Sequence, residues 1–206
     1  MPYISRPPRL RSAIAACAAV LALGAVPAQA LAEGSTSSTA KNCEAPVLSQ
    51  PLLSAGDTNS YFLVPGESED NFAGTGWSLS AGASIKTVTL ADGKTGAVLD
   101  LSSGARAVSP TICVTNDDPS ARFIERRLGG NQGVNFYVSY WGSKGWSARY
   151  GGQVRAPGTA WSLSEPVAMQ PANNSGWQLA QITLAAGGNS SEFQLYDLYV
   201  DPYVRR

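Results

Sequence analysis

The sequence predicts an all-β fold: an antiparallel β-sandwich with jelly-roll topology and one disulfide. Three observations predict it. Short segments rich in Val, Ile, Thr and aromatic residues recur along the chain. Between them lie turn-formers such as Ala91-Asp92-Gly93-Lys94, Asn116-Asp117-Asp118-Pro119 and Gly142-Ser143-Lys144-Gly145. After residue 30, no window of twelve or more residues keeps an apolar stripe at helical spacing.

In order, the predicted strands are 47–48, 61–64, 77–79, 85–90, 97–101, 107–114, 122–128, 135–141, 161–163, 177–185 and 193–200. The first two are short apolar runs. The third carries Trp77 between Gly76 and Ser78. Segments 85–90, 97–101 and 107–114 are β-branched and bounded by glycine or Asn-Asp turns. In 122–128, Ile124 and Leu128 stand among charged neighbours, so one face is wet. In 135–141, alternation puts Phe136, Val138 and Tyr140 toward the core. Gly151-Gly152 reads as a turn, and 177–185 and 193–200 close the fold. The last strand alternates from Glu192 to Tyr199 and stops at Pro202.

Residues 1–30 have the shape of a secretory signal: Arg6, Arg9 and Arg11, an apolar run over 13–26, then Ala28-Gln29-Ala30. The apolar run is shorter than the roughly 20 residues a membrane span needs. Residues 31–42 read as a flexible N-terminal segment and 43–206 as one domain, in a chain of secreted, extracellular destination. The whole sequence has 15 basic and 15 acidic residues. Cleavage would remove three arginines and no acid, leaving a net charge of −3. That balance disfavours nucleic acid and anionic membranes as main partners.

Two cysteines follow the signal, Cys43 and Cys113. An even count in an exported chain reads as a disulfide. Closing a loop of about 70 residues stabilises the fold by roughly 4 kcal/mol. The alternative is two free buried thiols.

The chain has no histidine. This excludes a Ser-His-Asp triad, a Cys-His pair and His-ligated zinc. Carboxylate chemistry stays open. A glycosidase would need two of Asp117, Asp118, Glu125, Glu165 and Glu192 to converge in one cleft, and a lyase a tyrosine with an arginine or lysine. Asn116-Asp117-Asp118-Pro119 is more simply a turn. The aromatic residues form the main candidate site. Trp141 and Trp146 flank a hairpin tip, Tyr150 follows, and Gln153 and Arg155 lie just beyond. Aromatic rings pack on the C–H face of a sugar, and polar side chains bind its hydroxyls. The alternative is that Trp141 and Trp146 fold back as lids on the core. Trp77, Trp161 and Trp177 sit in strand contexts and read as packing residues.

The chain resembles a group of small exported actinobacterial proteins, mostly of unknown function. The resemblance rests on Cys43, Gly76-Trp77, Ser109-Pro110-Thr111-Ile112-Cys113-Val114, and Asp197-Leu198-Tyr199-Val200-Asp201-Pro202-Tyr203 followed by Arg205 and Arg206. More distantly it is similar to galactose-binding-like jelly rolls, which include carbohydrate-binding modules. That second resemblance implies a structural calcium held by Glu69 and Asp197. It departs from the pattern at Ser68, where an aromatic is usual, and at Tyr196, where an aspartate is frequent. Calcium takes six to eight oxygen ligands. The alternative for Glu67, Glu69 and Asp70 is an exposed acidic turn.

The resulting expectation is a non-catalytic binding domain for an extracellular polysaccharide or cell-wall glycan. The alternatives are a structural or interaction protein of the cell envelope, and a carboxylate-based glycosidase or lyase.

Overall fold

The structure, a computed structural model, describes residues 43–202 apart from 66–71, 73–75, 173–175 and 189. The signal segment 1–30, the segment 31–42, Glu69 with the rest of its acidic turn, and the C-terminal Tyr203, Arg205 and Arg206 lie outside the described residues.

Two antiparallel sheets make up the domain. The strands are β1 (Phe62–Leu63), β2 (Ser78–Leu79), β3 (Ala83–Thr89), β4 (Thr95–Ser102), β5 (Arg106–Val108), β6 (Ile112–Val114), β7 (Ser120–Gly129), β8 (Val134–Gly142), β9 (Gly145–Val154), β10 (Ser162–Leu163), β11 (Val167–Ala168), β12 (Gln178–Ala186) and β13 (Glu192–Asp201). The seven-stranded sheet runs β10-β7-β13-β4-β3, with β1 on β13 and β11 on β7. The six-stranded sheet runs β2-β5-β12-β8-β9, with β6 on β12. From β4 onward the chain passes repeatedly from one sheet to the other, the winding of a jelly roll. Among the described residues the only helical element is a 3-10 turn, Leu53–Ala55.

Alternation along each strand sets the core. Phe136, Val138 and Tyr140 on β8, as expected, join Ile182 and Leu184 on β12 and Phe193 and Leu195 on β13 in one buried cluster. Tyr140 also donates from its hydroxyl to the carbonyl of Met169 at 2.7 Å. The disulfide joins Cys43 to Cys113, a sequence separation of 70.

Several strand boundaries differ from expectation. Val47 and Leu48 are exposed and form no strand; the chain makes only an isolated bridge, Ser49 to Tyr61. The run 107–114 is two strands, because Pro110 has no N–H to donate and the chain breaks at Ser109-Pro110. Both halves then pair with β12. The largest departure is β9, ten residues where a turn at Gly151-Gly152 was expected. On β7, Phe123 and Glu125 face inward, and Ile124 shares the other face with Arg122 and Arg126.

The outward side of the seven-stranded sheet is largely covered. Leu52, Tyr61 and Tyr199 form a second buried cluster there. Trp161 stands edge-on to Tyr196 at 4.9 Å, and the Arg126 guanidinium lies 4.2 Å from the Trp161 ring. Beside it run Arg126 to Gln194, Gln194 to Asp100 and Lys86 to Asp100. As expected, Trp77 and Trp161 pack against the core, and Trp177 is half-buried.

Candidate functional site: the outward face of the six-stranded sheet

Four successive rungs build this face. Because side chains alternate, the residues paired across β5 or β6, β12, β8 and β9 present one set outward. At one end Arg106 pairs with Ala185, Ala185 with Asn135, and Asn135 with Gln153. Next come Val108, Thr183, Tyr137 and Tyr150. Gln181, Ser139 and Ala148 form the third rung. At the far end Cys113 pairs with Leu179, and Trp141 with Trp146. From first rung to last is six residues along β8, about 20 Å at strand rise.

The rings occupy two of these rungs. Trp141 and Trp146 stand edge to face, centroids 5.4 Å apart and planes at 68°. Tyr137 and Tyr150 are tilted together at 5.3 Å. Trp141, Trp146 and Tyr150 are 44%, 38% and 51% exposed. Neither tryptophan is a lid on the core; both point away from it. Between the rings and Arg106 lies a shallow groove of about 410 Å³, lined by Arg106, Tyr137, Ser139, Ala148 and Thr183.

The polar end is a hydrogen-bonded chain. Arg155 donates from Nε to Gln153 Oε1 at 2.9 Å, and Gln153 donates from Nε2 to Asn135 Oδ1 at 3.0 Å. Tyr150 and Gln153 are three residues apart, so regular alternation would put them on opposite faces. A bulge prevents this: Gly151 and Gly152 together stand opposite Phe136. Gly152 has φ of +140°, and a Cβ on Gly151 would meet Ala168 O at 2.3 Å and Phe136 Cδ1 at 2.7 Å. Only glycine fits there.

The structure thus places Trp141, Trp146, Tyr150 and Gln153 on one face, with Arg155 at its end. Sequence reasoning missed Arg106, Asn135, Tyr137 and Thr183. The alternation of 135–141 already put Asn135 and Tyr137 opposite the core residues Phe136 and Val138. Nothing local in the sequence brings Arg106 or Thr183 beside them.

The acids are placed elsewhere. Asp118 is buried and accepts from the Thr115 N–H at 2.6 Å, closing the turn expected at 116–119. Glu192 lies 3.8 Å from the Lys86 ammonium. Glu125 and Glu165 line one cleft of about 480 Å³ with Gln153, Arg155 and Ser162. Glu125 is only 1% exposed and its Oε2 has no hydrogen-bond partner. Burial pushes its carboxyl up to about 7.

Asp197 is half-buried in the irregular stretch of β13 at φ +54°, and lines a separate cleft with Asp92, Lys94 and Tyr196. Of the two expected calcium ligands it is the one described. No three acids gather to hold a metal among the described residues.

No family model and no curated protein matches the sequence. Solved structures resemble it in fold. One is the family 11 carbohydrate-binding module from Clostridium thermocellum in complex with a β-1,3-1,4-mixed-linked tetrasaccharide, at 15% identity and TM-score 0.39, covering 68% of this chain and 96% of that one. Another is the C-terminal family 22 carbohydrate-binding module of Clostridium thermocellum Xyn10B, at 14% identity and TM-score 0.43, covering 73% and 99%. A third is TmCBM61 in complex with β-1,4-galactotriose, at 13% identity and TM-score 0.37, covering 64% and 90%.

Proposed function

We propose that this protein is a secreted, non-catalytic domain that binds an extracellular polysaccharide or cell-wall glycan on the outward face of its six-stranded sheet. The observation that carries the reading is the aromatic face: two ring pairs on one surface, three of the rings exposed and Tyr137 half-buried, with amides, hydroxyls and guanidinium groups on the rungs beside and beyond them. Rings supply apolar contact to the C–H faces of sugars. Asn135, Gln153, Ser139 and Thr183 supply hydrogen bonds to hydroxyls.

The competing readings are less well supported. A purely structural surface would present an apolar patch without a polar groove. In the carboxylate cleft, the burial of Glu125 keeps its Oε2 from solvent and from any substrate in contact with solvent.

Pull-down on insoluble polysaccharides and a glycan array test the reading. The expected result is binding that Trp146→Ala abolishes or greatly weakens without unfolding the domain. No binding to any glycan, or unchanged binding by the variant, overturns it.

A further inference from the structure

The charge on the aromatic face is one-sided. Its rungs and their extension carry Arg106 and Arg155 and, among the described residues, no aspartate or glutamate. The described acids sit on the other sheet, on turns, or in the segments beside the face. Glu44 lines a cleft with Ile112 and Cys113, at the opposite end of the face from Arg106. Glu125 and Glu165 line the cleft beyond Arg155.

Arg106 is the more telling of the two cations. Its backbone N–H is held by Ser80 Oγ at 2.8 Å, so its position on the sheet is fixed. Its guanidinium has no hydrogen-bond or ion-pair partner among the described residues, and it lines the groove beside Tyr137, Ser139 and Thr183. Arg155 has given only Nε to Gln153. A guanidinium presents its donors as a planar fork that matches the two oxygens of a carboxylate. Here such a fork stands next to a ring pair, at the opposite end of the face from the tryptophans.

From this we infer that the face selects glycans whose sugar rings carry an oxyanion, uronate carboxylates first, with Arg106 as the residue that pairs with the anion. The inference rests on the glycan-binding reading above. A neutral glycan would leave Arg106 without a counter-charge. Nucleic acid is the less suited polyanion: its grip needs many phosphate contacts, and this face offers two cations in a chain without an excess of basic residues.

The test uses the full chain and matched pairs of polysaccharide. Polygalacturonate and its methyl-esterified form differ in charge at the same ring position. A sulfated dextran reports whether any oxyanion suffices, and a neutral galactan provides the uncharged arm. Single-stranded DNA is included as the competing polyanion. The expected result is at least about tenfold tighter binding of the free acid than of its ester, weakening with salt. Arg106→Ala should remove that preference, so that acid and ester bind alike, and Arg106→Lys should restore it in part. Sulfated dextran behaving like the free acid supports the oxyanion and sets aside the carboxylate preference. Equal binding of acid and ester, a preference that survives Arg106→Ala, or DNA binding tighter than any glycan overturns the inference. Binding of neutral glycans alone overturns it while the glycan reading stands; binding of no glycan at all sinks that reading first.

Discussion

Arg122 donates from Nη1 to Asp57 Oδ2 at 2.7 Å, fastening the segment before β1 to the start of β7. The same oxygen accepts from the Tyr61 hydroxyl at 2.6 Å, and Oδ1 accepts from the Asn59 N–H at 3.0 Å. Burial pushes the Asp57 carboxyl up, but the bonds from Tyr61 and Asn59 and the Arg122 charge outweigh it and hold it below the usual range. The stabilisation is present above the unfolded carboxyl's value and is lost as pH falls through the lowered one. Asp57→Asn should therefore cost about 1–3 kcal/mol at neutral pH. The gap between variant and wild type should close in strong acid. Urea titrations at pH 7 and pH 2.5 check both halves.

Glu125 has the opposite sign. Its carboxyl is raised from 4.5 to about 7 by burial, so the fold keeps it protonated where the unfolded chain has ionised. The group costs nothing below pH 4.5, costs increasingly as pH climbs to about 7, and is constant above. Relative to Glu125→Gln, the wild type should lose up to roughly 3 kcal/mol over that window. Parallel stability curves for the two proteins between pH 4.5 and 8 would count against this.

Trp141 and Trp146 should act as a unit, because each ring is the other's edge-to-face neighbour. Each single alanine variant should weaken glycan binding by about tenfold or more, the size expected of a Trp anchor. The double variant should lose less than the product of the two. Titration calorimetry over the four proteins measures the coupling. Full additivity would mean that the rings bind separately.

Reducing Cys43–Cys113 should lower stability by roughly 4 kcal/mol, since the bond closes a loop of about 70 residues. The sheets should survive, because Ile112 and Val114 on either side of Cys113 stay packed in the main core and β6 stays paired with β12. Far-ultraviolet circular dichroism with and without reductant, followed by thermal melting, gives both readings.

Much of the fold was legible because alternation is local. Phe136, Val138 and Tyr140 announce their side within six residues; the closing strand does so only as far as Tyr196, because the irregularity at Asp197 puts Leu198 and Val200 on the core side and Tyr199 on the other. β9 was not legible. Its Gly145, Gly151 and Gly152 carry turn chemistry, and what holds the segment extended is pairing with β8, which the sequence does not display. Val47 and Leu48 failed in the other direction: their composition suits a strand, but no partner strand reaches them. The candidate site was half visible. Trp141, Trp146, Tyr150 and Gln153 come from one hairpin, so nearness in sequence implied nearness in space. Arg106 and Thr183 enter from strands far away along the chain, by register alone.

The bulge at Gly151 and Gly152 has a consequence for how the hairpin can change. It behaves as an absorbed insertion. Losing one of the two glycines would leave an ordinary hairpin in which Gln153 still faces Asn135. Keeping both while straightening the strand would turn everything after Tyr150 over, sending Gln153 and Arg155 inward and Val154 into water. Sidedness here is thus a matter of parity, so shortening this strand by one residue is a smaller change than stiffening it.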